Sequence, residues 1–149
     1  TGGTALTEGR GEAVTVLPPL SRRWIVLVVP SVVTLPEKTK LLYESLSASH
    51  YTDGHVTFAL AEKLNERKQF SPALMFNVFE KVAFSVFPGL NTYKDFMMEA
   101  GAPHVRLAGS GPTLFSLFQN ETKAKELCRQ LKNRNIETFL AETFAPDIM

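Results

Sequence analysis

The period of the apolar positions changes along this chain, and each change marks an element. Trp24-Ile25-Val26-Leu27-Val28-Val29 is an unbroken, β-branched run, which predicts a strand buried on both faces and stopped by Pro30. Val32–Leu35 adds a second short extended piece. Pro36, preceded by Thr34 or Leu35, predicts the first turn of a helix with Leu41, Leu42, Ser45 and Leu46 on its apolar face. Asp53-Gly54 reads as a turn and cap before Val56, Ala59, Leu60 and Leu64 at helical spacing. Ser71-Pro72 predicts the N-cap and first residue of a helix over Ala73–Phe87, apolar almost all round and therefore buried. Pro88 breaks it. Leu90, Tyr93, Met97 and Ala100 mark the next helix, and Gly101 closes it.

Two more apolar runs, Val105–Ala108 and Thr113–Phe118, flank Gly109-Ser110-Gly111-Pro112 and predict a strand, glycine loop and strand. Asn120 then caps a helix with Ala124, Leu127, Cys128 and Leu131 inward, and Lys123, Lys125, Glu126, Arg129 and Lys132 in water. Ile136–Phe144 is a last strand. Upstream of all these, Thr4–Thr7 and Ala13–Leu17 form a hairpin about Glu8–Glu12, closed by Pro18-Pro19. From Trp24 onward the order fits a βαββαβ pattern with an enlarged first crossover. The expected fold is a ferredoxin-like α+β sandwich, an antiparallel sheet with helices on one face. An isolated hairpin is marginal in water, so residues 1–23 are expected to pair with a preceding segment. The chain opens on Thr1 directly at a strand, and a piece of a longer protein is expected, with residues 24–149 as its second domain.

Composition narrows the function classes. At 149 residues and 44% hydrophobic content, one core is well supplied. Sixteen basic and fifteen acidic residues leave a net charge of +1, which gives nucleic acid or an anionic membrane no hold as main partner. The Trp24–Val29 run is far too short to span a bilayer. The single cysteine, Cys128, lies on the buried face of its helix, so an inert thiol in a reducing, cytoplasmic setting is expected.

Candidate chemistry gathers at the glycine loop. Gly109–Thr113 reads either as a tight hairpin turn or as a nest of backbone N–H groups holding an anion, with the Ser110 and Thr113 hydroxyls as extra donors. No Gly-Lys-Ser/Thr follows it, and Leu114 stands where a dinucleotide fingerprint has its third glycine. Thr39 and Tyr43 lie four apart on one side of a helix. Tyr43 is either core or rim packing or an aromatic surface for a planar ligand. Asn77 and Glu80 either pair with backbone at a helix junction or approach a ligand. His50 and His55 flank a turn without a carboxylate or thiol cluster, so they read as solvated histidines and no metal site is assigned. Arg10 reads as an exposed turn arginine, with a phosphate ligand as the alternative.

Four stretches together resemble the carboxy-terminal half of the GHMP kinase superfamily, in its branch acting on a cytidine-diphosphate-linked methylerythritol in non-mevalonate isoprenoid biosynthesis. They are Gly3–Glu12, Lys38–Tyr43, Asn77–Glu80 and, most tellingly, Ala108-Gly109-Ser110-Gly111-Pro112-Thr113-Leu114-Phe115, which is similar to the superfamily's third motif. Ala108 replaces a frequent serine, and Val78 a frequent aspartate; neither change removes a backbone donor. The resemblance implies phosphoryl transfer from ATP, with Mg²⁺, to a hydroxyl of the cytidylyl substrate. It places the ATP loop and the catalytic lysine and aspartate in an amino-terminal domain, so no catalytic residue is assigned here. Gly109, Ser110, Gly111, Pro112 and Thr113 are then expected to form a wall of the cleft, with Thr39 and Tyr43 on the cytidine side. The alternative from the residues alone is a stand-alone ferredoxin-like ligand-binding or regulatory module. A purely structural interaction domain leaves the loop and Tyr43 without a role. A bare, apolar hairpin face would favour the half-kinase; a hairpin packed wholly on its own domain would favour the module.

Overall fold

Val26 and Val28 are fully buried, whereas Ile25, Leu27 and Val29 on the same strand are half-buried in the computed structural model, which describes residues 3–33 and 36–144. This period-2 alternation corrects the expectation of burial on both faces. The strand, β3 (Trp24–Val29), is central in a sheet covered fully on one side.

The sheet is made of β3, β4 (Arg106–Leu107), β5 (Leu114–Phe118) and β6 (Glu137–Glu142), in the order β4-β5-β3-β6, every pair antiparallel. Leu27 lies between Phe115 and Phe139, and Val26 between Ser116 and Leu140. This is the ferredoxin-like order expected from the chain pattern. Helices α1 (Lys38–Ser45), α3 (Glu80–Val86), α4 (Leu90–Glu99) and α5 (Glu121–Asn133) bring Leu42, Val82, Leu90, Met97, Leu127 and Leu131 onto the Val26/Val28 face. Asn120 caps α5, its Oδ1 accepting from the Lys123 N–H at 3.0 Å. Among the described residues none of helix α2 (His55–Asn65) joins that core; its Thr57 and Leu60 share a cavity with Arg106 and Phe115 of the sheet's other face.

Three further expectations need correction. Ala73–Phe87 is not one helix: Pro72–Leu74 makes a single 3₁₀ turn, residues 75–77 lie in no regular element, and α3 begins only at Glu80. At Asn77 the side-chain Oδ1 takes the Phe79 N–H, which a continuous helix would give to the carbonyl of Met75. Pro36 does not open α1 either. It precedes Glu37, which is held at φ 55°, and the helix starts at Lys38. Finally, Val32 and Val33 lie in no regular element, while Thr34 and Leu35 are outside the described residues.

Among the described residues the N-terminal strands β1 (Thr4–Glu8) and β2 (Ala13–Leu17) pair only with each other. Leu17, on one face of the hairpin, is buried, and Leu6 and Thr15 share a cavity with Phe58 and Ala61 of α2. On the opposite face Val14 and Val16 are 58% and 76% exposed. No helix among the described residues is long and apolar enough to cross a membrane.

Candidate functional site

The glycine loop is a true hairpin turn between β4 and β5. The Ala108 N–H donates to Thr113 O at 2.8 Å, and the Gly111 N–H donates to Ala108 O at 2.8 Å. Gly109 and Gly111 take φ of 54° and 68°, and the Gly111–Pro112 peptide is cis. A β-carbon on Gly111 would lie 2.7 Å from Leu107 Cδ1 in the buried core, so glycine is required there for space as well as for φ. Among the described residues, neither the Gly109 nor the Ser110 amide donates a hydrogen bond within the chain.

Three remote segments hold this loop. From the start of α1, the Lys38 ammonium donates to Gly111 O, and Thr39 Oγ1 lies 3.1 Å from Ser110 Oγ. From the turn before α3, Asn77 Nδ2 donates to Leu107 O at 3.1 Å and to Gly109 O at 2.8 Å; its Oδ1 accepts from the Phe79 N–H at 3.0 Å. At the head of α3, Glu80 Oε1 accepts from the Leu107 N–H at 2.9 Å, while its Oε2 meets Arg106 Nη1 at 3.2 Å. The Glu80 and Arg106 side chains are only 20% and 25% exposed, and Arg106 Nε is buried without a partner among the described residues. Tyr43, 59% exposed, stands edge-on to Phe79 with ring centroids 4.9 Å apart.

The structure therefore brings Thr39 to Ser110, and sets Tyr43 against the segment that holds the loop. Asn77 and Glu80 take the backbone-pairing role at a junction. Lys38 and Arg106 were not singled out by sequence pattern. Lysine and arginine are common on surfaces, and only the tertiary meeting with the loop distinguishes these two. The donors at the loop are two amides, two hydroxyls and an ammonium, with no carboxylate bonded among them, a set suited to an anion. Elsewhere, His50 Nδ1 accepts from the Ser47 N–H at 2.9 Å. His55 Nδ1 lies 2.5 Å from Asp53 Oδ1, and the Asp53 carboxyl is held below its usual range, first by the His55 backbone N–H and then by the His55 ring. Among the described residues no group of three or more His, Cys, Asp or Glu is placed to hold a metal ion.

The family model for the carboxy-terminal domain of GHMP kinases matches residues 57–137. The chain belongs to the GHMP kinase family. Within that family it is 42% identical over 145 residues to a 4-diphosphocytidyl-2-C-methyl-D-erythritol kinase of Dehalococcoides mccartyi, covering 97% of this chain and 51% of that relative. It is 33% identical to the enzyme of the same name from Alkaliphilus oremlandii, covering 96% of this chain and 49% of that relative. This GHMP kinase chain thus spans about half the length of the curated relatives it matches. In fold it is similar to the crystal structure of a 4-(cytidine 5′-diphospho)-2C-methyl-D-erythritol kinase, with a TM-score of 0.73 at 23% identity over 95% of this chain and 50% of that one. A homoserine kinase from Cytophaga hutchinsonii gives a TM-score of 0.67 at 18% identity, over 97% and 49% of the two chains. The ferredoxin-like sandwich is thus the GHMP kinase carboxy-terminal fold.

Proposed function

We propose that this chain is the substrate-side portion of an ATP-dependent kinase that phosphorylates a hydroxyl of 4-diphosphocytidyl-2-C-methyl-D-erythritol in non-mevalonate isoprenoid biosynthesis. The observation that carries the reading is the meeting of three remote stretches, Lys38–Tyr43, Asn77–Glu80 and Gly109–Thr113, at one loop. Identity along nearly the whole chain to relatives bearing that enzyme's name supports it. So does the hairpin, whose Val14 and Val16 face is bare. In this reading residues 1–23 complete the sheet of a first domain and residues 24–149 form the second. The whole protein works in the cytoplasm.

Gly109, Ser110, Gly111, Pro112 and Thr113 form one wall of the cleft, where the free amides and the Ser110 hydroxyl meet phosphate oxygens. Thr39 holds the loop from the cytidine side, and Tyr43 offers the base a ring, worth about 1 kcal/mol or more in stacking. Such phosphoryl transfer rests mainly on positioning and charge stabilisation. The donor set here does not fit Mg²⁺, which takes carboxylate oxygens. By the resemblance of its motifs to the GHMP kinases, ATP and its ion are bound mainly by the first domain, which also carries the catalytic lysine and aspartate, and no catalytic residue is assigned to this chain.

The test is steady-state kinetics of the chain coexpressed with the amino-terminal domain of the Dehalococcoides mccartyi relative. Tyr43→Ala is expected to raise KM for the cytidylyl substrate several-fold and leave KM for ATP unchanged. An unaltered cytidylyl KM removes Tyr43 from the site.

A further inference from the structure

β4 is an edge strand only two residues long, and it ends directly in the glycine loop. In an antiparallel ladder alternate residues turn their N–H and C=O toward the neighbour and away from it. The Ala108 N–H points inward, to Thr113 O on the β5 side. Leu107 must then point both its backbone groups outward, where the described residues place no fifth strand. Those two groups are the ones that Asn77 and Glu80 take. Asn77 Nδ2 donates to Leu107 O, and Glu80 Oε1 accepts from the Leu107 N–H, as a neighbouring strand would.

The spacing suits the task. Asn77 lies in the turn ahead of α3 and Glu80 at its first residue, so two side chains three apart reach one edge. Each also has a second hold. Asn77 Nδ2 continues to Gly109 O inside the loop, and Glu80 Oε2 pairs with Arg106 on the preceding strand residue. Both polar side-chain atoms of Asn77 are engaged with backbone, on Leu107, Gly109 and Phe79. Lys38 closes the far side of the loop on Gly111 O.

We infer that Asn77 and Glu80 are positioning residues: their side chains stand in for a missing edge strand and thereby fix where Gly109–Thr113 sits, without touching substrate themselves. Glu80 sets the strand end through Leu107, and Asn77 sets the first loop residue through Gly109. The stand-in also closes the β4 edge against pairing with another chain, as edge strands require. The consequence for catalysis rests on the kinase reading above; the consequence for the loop does not.

The experiment has two arms. In the first, backbone amide exchange is followed by NMR in this chain and in Asn77→Ser, Glu80→Ala and Glu80→Gln. The reporters are the amides of Ala108 and Gly111, which donate within the loop and touch neither side chain. Their exchange is expected to rise tenfold or more in Asn77→Ser and Glu80→Ala, with Val26 and Val28 of β3 unchanged. Glu80→Gln keeps an acceptor for the Leu107 N–H and is expected to restore most of the protection. A parallel rise in β3, or no rise at the reporters, overturns the inference. So does equal loss in Glu80→Gln and Glu80→Ala.

In the second arm the same variants are assayed in the chain assembled with the relative's amino-terminal domain. Asn77→Ser is expected to lower kcat at least tenfold while KM for the cytidylyl substrate stays within twofold, because a displaced loop misplaces phosphates and leaves Tyr43 in place. A raised KM with kcat intact contradicts it. If the unsubstituted assembly shows no turnover, the kinase reading fails, and the exchange arm alone decides the positioning role.

Discussion

Gly9 and Gly11 turn one hairpin of this chain, Gly109 and Gly111 the other, and all four sit at positive φ. Both turns close on an internal backbone bond, Gly11 N–H to Glu8 O at 3.0 Å and Gly111 N–H to Ala108 O at 2.8 Å. Their surroundings differ completely. A β-carbon on Gly11 would meet nothing within 4 Å, and Arg10 in that turn is exposed, its N–H donating to its neighbour Glu12. A β-carbon on Gly111 would strike Leu107, and the loop around it is held by Lys38, Thr39 and Asn77 from far along the chain. Turn chemistry is local and the two sequences share it; a site needs the turn fixed from outside, and only the second hairpin has that.

The largest expected effect separates the two glycines. Gly111→Ala combines a left-handed backbone with a clash in the core, together about 3 kcal/mol of destabilisation. Gly11→Ala carries only the backbone strain, about 1 kcal/mol. Chemical denaturation of the two variants measures the difference, and equal losses would erase the distinction between the hairpins. A smaller effect is expected on the bare face. Val16→Asp should leave the stability of the chain alone within about 0.5 kcal/mol, since the side chain is exposed. It should nevertheless weaken assembly with an amino-terminal domain by tenfold or more, read by titration of one part into the other. Unimpaired assembly would free that face from any interface.

The smallest effect tests that the loop is insulated from the surface charge of α5. The Glu126 carboxyl is pulled down to about 2, first by the hydrogen bond from Arg129 and then by that from Gln130. Because the folded value is depressed, this contribution is complete above the ordinary carboxylate range and is lost as pH falls toward 2. Arg129→Ala should raise the Glu126 midpoint toward its ordinary value in a carboxyl NMR titration. Exchange at Ala108 and Gly111 should stay the same. A shifted midpoint accompanied by faster loop exchange would show the loop to be less isolated than its bonds indicate.

Sequence pattern reached most of the fold. The β-branched run of β3, the Asn120 cap, the Ala124/Leu127/Leu131 face and the glycine loop all carry local signals that tertiary structure kept. It failed at Ala73–Phe87, where an apolar stretch of helical composition is interrupted at Asn77, whose Oδ1 takes the Phe79 N–H while its Nδ2 bonds Leu107 and Gly109, thirty residues on. As a polar exception Asn77 stands out for a backbone partner or a ligand, but nothing near it names Leu107 and Gly109 as the partners. Sequence pattern also overstated the burial of β3, because an apolar run does not report which face the helices take. At the site, Thr39 and the loop were legible as separate motifs. Their meeting, and the part of Lys38, belong to tertiary geometry alone.

The most direct measurement is phosphoryl transfer from ATP to the cytidylyl substrate with Mg²⁺ present, assayed for this chain by itself and for the chain coexpressed with the relative's amino-terminal domain. The predicted result is turnover in the second preparation and none in the first. Turnover by the chain alone, or none in the properly assembled pair, would contradict the assignment of these residues to the receiving side of a divided active site.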